Sequence, residues 1–299
     1  MRRLLRISSV FHRTLLGVIK HDCVNVAQSA AYSAMISLFP ALIIAAAFVG
    51  FLPYTAPLRF QLALVFNRIL PSDVTPLLEG YFATTHHNPT SIQAFIAGVV
   101  VSATGASSVI VTFMEGFRRA HSLPENCWNF WQRRLRAFVL VPLSLIPLAA
   151  ASLLIVFGHF ITLWIAMHVV PEARTPVYVI ALVIRWSIAL TGSIGIIALI
   201  YHMGTPMRQS WKRTIPGAVV ATAMWFLSTL AFGLYVTRFA NYSHIYGSLG
   251  AGIALLFWLY LISLSVLCGA EFNAQWDAHF LGQDDTHSTA SSAQTPASG

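Results

Sequence analysis

The sequence predicts an all-α polytopic membrane protein. We expect six transmembrane helices, an N-terminal amphipathic helix and a helical outer loop between spans 1 and 2. Of its 299 residues, 57% are hydrophobic and only 9% are charged, and the mean hydropathy is +0.69. Because about a quarter of the residues of a soluble domain are charged, this composition excludes a soluble enzyme. The charged residues leave six apolar stretches, each long enough to cross about 30 Å of hydrocarbon.

The six apolar stretches define the predicted membrane domain, residues 27–275. Their unbroken apolar character favours helices over a membrane barrel, whose strands alternate apolar and polar residues. The predicted spans lie at about 27–52, 91–114, 138–166, 176–201, 214–237 and 247–270.

The N-terminal segment, residues 1–26, is basic and amphipathic. Four basic side chains, those of Arg2, Arg6, Arg13 and Lys20, share one face of a helix. The opposite face has a period of 3.6 residues and carries Leu4, Ile7, Phe11, Leu15 and Val18. This pattern predicts a helix lying on the membrane surface. The alternative is a frayed basic leader that only fixes orientation.

Two further regions lie outside the predicted spans, an outer loop and a C-terminal segment. The outer loop, 53–90, has apolar residues at helical spacing interrupted at Pro71, Ser72 and Asp73, which predicts two short amphipathic helices. Residues 276–299 form the C-terminal segment, and from Gly282 onward it is rich in Ser, Thr, Ala, Gln and Pro. We expect 276–299 to be a disordered cytoplasmic tail.

Basic residues indicate the orientation. Of the 18 Lys and Arg residues, 13 fall before span 1, between spans 2 and 3, or between spans 4 and 5. The positive-inside rule therefore places both termini in the cytoplasm. The formal charge of +8 is explained by this topology and by attraction to anionic lipid, and no aromatic-interleaved basic groove suggests nucleic acid. Membrane lipids are the expected partners.

Several short motifs resemble the YihY/BrkB family of bacterial inner-membrane proteins over about 20–275. In chain order they are Asp22 with Ala30, Ala31, Tyr32 and Ser37 to Pro40; Gly105 to Ser107; Pro216 to Ala218; Tyr246 to Ser248; and Trp258 with Gly269 to Glu271. The resemblance implies six helices in the bacterial inner (plasma) membrane and a link to serum resistance, virulence and envelope integrity. Some relatives are proposed to move lipids, and some have carried the label ribonuclease BN.

Enzymatic chemistry has little support in the sequence. A ribonuclease would need a carboxylate cluster for metal, or two placed histidines with a cation, in a cytoplasmic pocket. The acidic residues on that side are scattered over four segments, and no zinc spacing, P-loop or Ser-His-Asp order is found. Cys23, Cys127 and Cys268 match no metal motif. We therefore expect no enzyme activity, no metal and no cofactor.

Arg185 is the leading candidate for a binding residue. It lies inside predicted span 4, and no acidic residue lies within any predicted span to neutralise it. Intramembrane charges usually face the bundle interior or a water-filled cavity. We therefore expect Arg185 to hold an anionic headgroup, with His159 and Tyr32 as weaker candidate lining residues. The alternative is that its side chain snorkels to the outer headgroups or caps backbone carbonyls.

A second candidate set lies at the cytoplasmic edges of the spans. Its charged residues could form an ion-pair ring that acts as a gate, or could simply mark helix ends; they are Asp22, Glu115, Glu271, Arg118 and Arg119. Two functions remain open. The protein either transports or flips an anionic amphipathic substrate such as a lipid, or it is a non-transporting structural or regulatory envelope protein. A homo-oligomer is compatible with both.

Overall fold

A computed structural model describes residues 2–51, 89–146, 174–207, 209–239 and 242–292, and that part of the chain is all-helical. It contains seven α-helices, together with one 3-10 turn at Glu125–Cys127. The helices are α1 (Arg2–Lys20), α2 (Cys23–Phe51), α3 (Pro89–Ala120), α4 (130–146), α5 (Arg174–Gly204), α6 (Trp211–Phe239) and α7 (Tyr242–Ser292).

Four of the described helices contain a segment long and apolar enough to cross a membrane. The segments are Ile96–Ala120 in α3, Tyr178–Gly204 in α5, Trp211–Thr237 in α6 and Gly250–Ala278 in α7. They match the predicted spans at 91–114, 176–201, 214–237 and 247–270. Helix α2 covers predicted span 27–52 as far as Phe51, and predicted span 138–166 leaves the described residues after 146. The two outer helices predicted within 53–90 lie outside the described residues.

The chain divides into two compact units that interleave along the sequence. The first unit combines Met1–Val24, Phe113–Trp225 and Leu264–Gly299, and the second combines Asn25–Thr112 and Phe226–Ser263. Helices α3, α6 and α7 therefore each contribute to both units.

The core of the first unit is built around Tyr201 of α5. Its ring meets Phe117 of α3 edge to face with 5.1 Å between centroids, and its hydroxyl donates to the carbonyl of Val266 in α7. Helices α6 and α7 cross closely where Gly217 faces Gly269, because a Cβ at Gly217 would overlap the Gly269 carbonyl. Small residues at such crossings are how helices pack tightly in lipid.

The second unit uses the same device. A Cβ added at Gly105 of α3 would overlap the side chain of Ser37 in α2. Farther along, the indole nitrogen of Trp258 in α7 lies 3.4 Å from the hydroxyl of Thr229 in α6. Gly105, Ser37 and Trp258 all belong to the family-like motifs of the sequence. These motifs therefore mark helix contacts within this unit.

Helix α1 packs on the rest of the first unit through one narrow face and leaves much of its apolar pattern exposed. Phe11, Leu15 and Ile19 are 48%, 51% and 75% exposed. The buried face of the described side chains instead comprises Val10, Thr14, Gly17 and Val18. The reason is steric, because Gly17 lets α1 approach α7 more closely than the bulky apolar stripe would allow. The stripe Phe11, Leu15 and Ile19 is called the α1 stripe below.

Helix α7 extends into the C-terminal segment, 276–299. Helix α7 runs without a break through Ser292, and only 293–299 lie outside the described residues. A helix that has already formed adds one hydrogen bond for each further residue, and no proline interrupts α7. Just past the predicted span, Trp276 stacks on Phe272 of the same helix, with 5.7 Å between the ring centroids.

Candidate functional site

Arg185 lies in the apolar part of α5. It is seven residues, about 10 Å along the helix, beyond Tyr178, where the membrane-spanning segment begins. Its side chain is half-buried, while the neighbouring Ile184 and Trp186 are 53% and 50% exposed. Among the described residues, Arg185 has no ion-pair or hydrogen-bond partner. Within the described part of the chain, no anionic side chain therefore compensates this cation on its apolar segment.

The structure gives less information about the two weaker candidate residues, Tyr32 and His159. Tyr32 belongs to α2 in the second unit and is 64% exposed. His159 lies outside the described residues. That Arg185, Tyr32 and His159 line one cavity therefore stays a prediction.

Four of the five proposed gate residues share one ion-pair network at the end of α3. Arg118 donates from Nε and Nη2 to the two carboxylate oxygens of Glu115 at 3.0 and 2.7 Å, and Arg119 Nε donates to the same carboxylate at 3.0 Å. Arg119 also lies 3.8 Å from the carboxylate of Asp22, and Arg133 lies 3.7 Å from Glu115. Glu115 therefore offsets part of the positive charge at the end of α3.

Glu271 is not part of this network. Its side chain is fully buried, and its Oε2 lies 2.9 Å from Nδ1 of His21, while its Oε1 accepts a hydrogen bond from Gln275 at 2.9 Å. The carboxylate lies directly against Gly17, where an added Cβ would overlap it. The structure thus places Glu271 against α1 and pairs it with a histidine.

The turn between α1 and α2 brings His21 to Glu271. His21 and Asp22 form a two-residue turn, and Asp22 has φ 60°, a left-handed conformation that aspartate tolerates better than most residues. Sequence reasoning missed this pair, because 250 residues separate its members. The available signal was Gly17, since a glycine inside a helix costs about 1 kcal/mol relative to alanine and indicates a close backbone approach.

A second polar chain joins three segments of the first unit. Nδ1 of His121 lies 2.9 Å from the carbonyl of Phe117, so this nitrogen carries the proton and donates. The amide nitrogen of Gln209 donates to Nε2 of His121 at 2.8 Å and also lies 3.4 Å from the carboxylate of Asp277. Burial lowers the pKa of His121 below its ordinary value of 6.5. His121 is therefore neutral at pH 7, with both ring nitrogens engaged.

These two polar groups border a cavity of about 500 Å³ beside α1, which we call the α1 pocket. Its walls come from α1, from the turn that follows α3, from Met207 and from α7. Its charged and polar lining consists of Arg13, Lys20, His21, His121, Ser122, Gln275 and Asp277. A smaller cavity of about 340 Å³ shares Lys20 and His21 with it. Sequence reasoning did not identify this pocket.

The described residues contain no group of three or more His, Cys, Asp or Glu side chains that could hold a metal ion. Cys23 and Cys268 are buried, and all three cysteines are free. Burial raises the pKa of the Cys23 thiol to about 12, so it stays protonated and unreactive.

Comparison with known proteins places this architecture in a family. A family profile described as Virulence factor BrkB matches residues 14–293, which is nearly the whole chain. The chain belongs to this BrkB family. The BrkB match includes Gly17, His21 and Glu271, so the contact of α1 with α7 lies inside the region that defines the family.

Several relatives of this BrkB-family chain are similar over most of its length. The protein YfkH of Bacillus subtilis, whose name describes it as ribonuclease-like, is 28% identical over 85% of this chain and 90% of its own. A UPF0761 membrane protein of Vibrio cholerae is 26% identical over 90% of this chain and 87% of its own. The UPF0761 membrane protein VP0125 of Vibrio parahaemolyticus is 25% identical over 95% and 88%. No solved structure matches the chain significantly.

Proposed function

We propose that this BrkB-family membrane protein binds and moves an anionic amphipathic substrate such as a lipid, and thereby contributes to envelope integrity. The observation that carries the proposal is Arg185, half-buried in an apolar helix and without an ion-pair partner among the described residues. A guanidinium in such a place can bind a phosphate through two parallel hydrogen bonds.

The energetic argument favours a functional arginine. An arginine at the centre of a membrane helix costs about 2.5 to 3.5 kcal/mol on insertion scales, and Arg185, about 10 Å from one end of its segment, costs up to that amount. Charges that persist within the membrane usually face the bundle interior or a water-filled cavity. A bound anionic headgroup would offset this cost. The competing account is that the long side chain snorkels to the headgroup region, in which case its removal would be tolerated.

A transport assay with purified protein tests the proposal. Proteoliposomes containing a fluorescent phosphatidylglycerol report movement between leaflets, and thermal unfolding in detergent reports folding. We expect Arg185→Ala to unfold at the wild-type temperature yet to lose lipid movement, and Arg185→Lys to keep part of it. The matched control is Arg134→Ala, because Arg134 lies in α4, outside the four membrane-spanning segments. Full activity of Arg185→Ala, an unstable Arg185→Ala, or an inactive wild type would contradict the proposal.

The proposed location is the bacterial inner membrane, with both termini in the cytoplasm. This orientation rests on the distribution of basic residues and the positive-inside rule. Reporters fused after Lys20, after Glu125 and at the C-terminus should read cytoplasmic, and reporters near Thr84 and Arg174 should read external. A cytoplasmic signal at Thr84 would refute this topology.

The second candidate function is a structural or regulatory envelope protein that moves nothing. Contacts that hold helices together favour this second function. They are the ion pairs around Glu115 and the close approach of Gly217 to Gly269. If this account holds, wild-type proteoliposomes show no lipid movement, while deletion of the protein still weakens the envelope.

Enzyme activity is the third alternative, and we propose that it is absent. YfkH carries a ribonuclease-like name, and the α1 pocket contains two histidines with two cations. General acid–base catalysis needs a free ring nitrogen on each histidine. His121 has none, because Phe117 and Gln209 engage both of its nitrogens. Purified protein should therefore not cleave RNA, with or without divalent metal, and cleavage that disappears in His21→Gln would overturn this.

A further inference from the structure

We propose that the α1 pocket binds the headgroup of an anionic phospholipid, while the α1 stripe lies among the acyl chains at the membrane interface. This inference goes beyond the proposed transport function, because it concerns a different site from Arg185 and requires no lipid movement. It rests on the lining of the pocket, on its size and on the exposed apolar surface next to it.

The pocket has the charge and size that a phosphodiester headgroup needs. Its volume of about 500 Å³ lies within the usual range of small-molecule sites. Arg13 and Lys20 contribute two fixed cations, and Asp277 contributes one carboxylate. Two positive charges against one negative charge match a phosphodiester, which carries a single negative charge.

The remaining polar groups are arranged so that they do not oppose an anion. Both oxygens of the buried Glu271 carboxylate are already hydrogen-bonded, to His21 and Gln275, and Glu271 does not line the pocket. Asp277 lies 3.4 Å from the amide nitrogen of Gln209 and can still accept a hydrogen bond. A headgroup that carries hydroxyls in addition to its phosphate, such as that of phosphatidylglycerol, could donate to Asp277 while Arg13 and Lys20 hold the phosphate.

Helix α1 offers the acyl chains of a bound lipid an exposed apolar surface. The α1 stripe, Phe11, Leu15 and Ile19, recurs every four residues and is at least 48% exposed at each position. Leu16 is 55% exposed and also lines the pocket, so an apolar surface leads from the stripe to the pocket. An amphipathic helix with basic and bulky apolar faces is typical of helices that lie in the membrane interface.

The occupant of this surface is therefore the lipid bilayer. Only a two-residue turn separates α1 from α2, which covers predicted span 27–52. A helix linked this closely to a membrane span cannot move far from the headgroup region. The basic face of α1 also complements the negative charge of anionic lipids.

The test measures binding of short-chain lipid to the full-length protein in a non-ionic detergent. Dihexanoyl phosphatidylglycerol, dihexanoyl phosphatidylcholine and glycerol 3-phosphate are titrated separately, and the apparent affinity is taken from the rise in unfolding temperature. We expect phosphatidylglycerol to stabilise the wild type and the other two compounds to have no comparable effect. In Arg13→Gln/Lys20→Gln the affinity for phosphatidylglycerol should fall about thirtyfold, which is about 2 kcal/mol at 1.4 kcal/mol per tenfold.

Two further variants separate the pocket from general electrostatics. Arg134→Gln/Lys212→Gln removes the same number of charges from positions outside the α1 pocket and should bind phosphatidylglycerol within about twofold of the wild type. Ala278→Trp changes no charge and places a bulky ring at an exposed position in the lining, so it should weaken binding. If Arg13→Gln/Lys20→Gln does not fold, Ala278→Trp alone decides whether the α1 pocket binds the lipid.

Four results would overturn the inference. They are equal weakening in both charge-removal variants, unchanged binding in Ala278→Trp, equal stabilisation by phosphatidylcholine, and equal stabilisation by glycerol 3-phosphate. The last result would identify a site for a free phosphate ester instead of a lipid. Arg185→Ala should keep the affinity of this site, so failure of the transport proposal and failure of this inference can be told apart.

Discussion

Replacing Gly17 by alanine tests whether α1 is held against α7 as the structure indicates. A Cβ at this position would overlap the Oε1, Cδ and Cγ atoms of Glu271, a side chain with no exposed surface. Glu271 cannot simply swing away, because His21 and Gln275 hold its two oxygens at 2.9 Å. Either the carboxylate leaves His21 or α1 moves away from α7.

Both responses lower the free energy of unfolding. Overpacking a well-packed contact costs about 1 to 3 kcal/mol, and leaving a buried hydrogen-bonding group without its partner also costs about 1 to 3 kcal/mol, and more where that group is charged. Alanine returns about 1 kcal/mol through its higher helix propensity. We therefore expect Gly17→Ala to lose about 2 kcal/mol, which corresponds to a fall of about 4 to 8 °C in Tm at the roughly 2 to 4 °C per kcal/mol that is typical of domains of about 150 to 250 residues.

The assay combines thermal unfolding with limited trypsin digestion of the detergent-purified protein. Trypsin cleaves after Arg13 and Lys20, so a helix that separates from α7 should be cut faster. The matched control is Gly192→Ala in α5, where an added Cβ would meet no atom of the described residues within 4 Å, apart from its own chain neighbours and helix backbone. This control should unfold at or slightly above the wild-type temperature. An unchanged Tm and an unchanged rate of cleavage in Gly17→Ala would refute the docking of α1 on α7.

Three further predictions concern the first unit. Burial lowers the pKa of His121 below 6.5, and Nε2 of the neutral ring accepts a hydrogen bond from Gln209, so the contribution of His121 to stability is complete above pH 6.5 and is lost as the pH falls. The Tm of the wild type should therefore drop between pH 7.5 and 5.5, and the Tm of His121→Gln should drop less. Glu115→Gln should lower Tm, whereas Glu125→Gln, at a side chain 89% exposed, should change the unfolding free energy by less than about 0.5 kcal/mol. Gly217→Ala should be strongly destabilising in the same assay, because its Cβ would overlap a backbone carbonyl of α7.

The parts of the fold that could be predicted depend on local patterns. Four membrane-spanning segments follow from apolar length alone, and the helix at Arg2–Lys20 follows from a period of 3.6 residues. The contacts of Glu115 with Arg118 and Arg119 were also accessible, since residues three and four apart lie side by side on a helix.

The parts that could not be predicted depend on contacts between distant segments. The pairing of His21 with Glu271 joins α1 to α7, and no local pattern specifies it. The buried face of α1 was also obscured, because the exposed apolar stripe is bulkier than the buried face built around Gly17. The α1 pocket depends on the pairing of His21 with Glu271 and on the packing of α1 through its buried face, so only the three-dimensional structure shows its lining.

A density map of the protein in a lipid nanodisc containing phosphatidylglycerol tests the central claim most directly, because it shows what Arg185 contacts. The proposed function predicts a lipid phosphate within hydrogen-bonding distance of the Arg185 guanidinium, about 2.7 to 3.2 Å, in a cavity that is open to the membrane or to water. A guanidinium that extends to the headgroup region, or that caps backbone carbonyls in a dry interior, would contradict the proposal and leave Arg185 a structural residue.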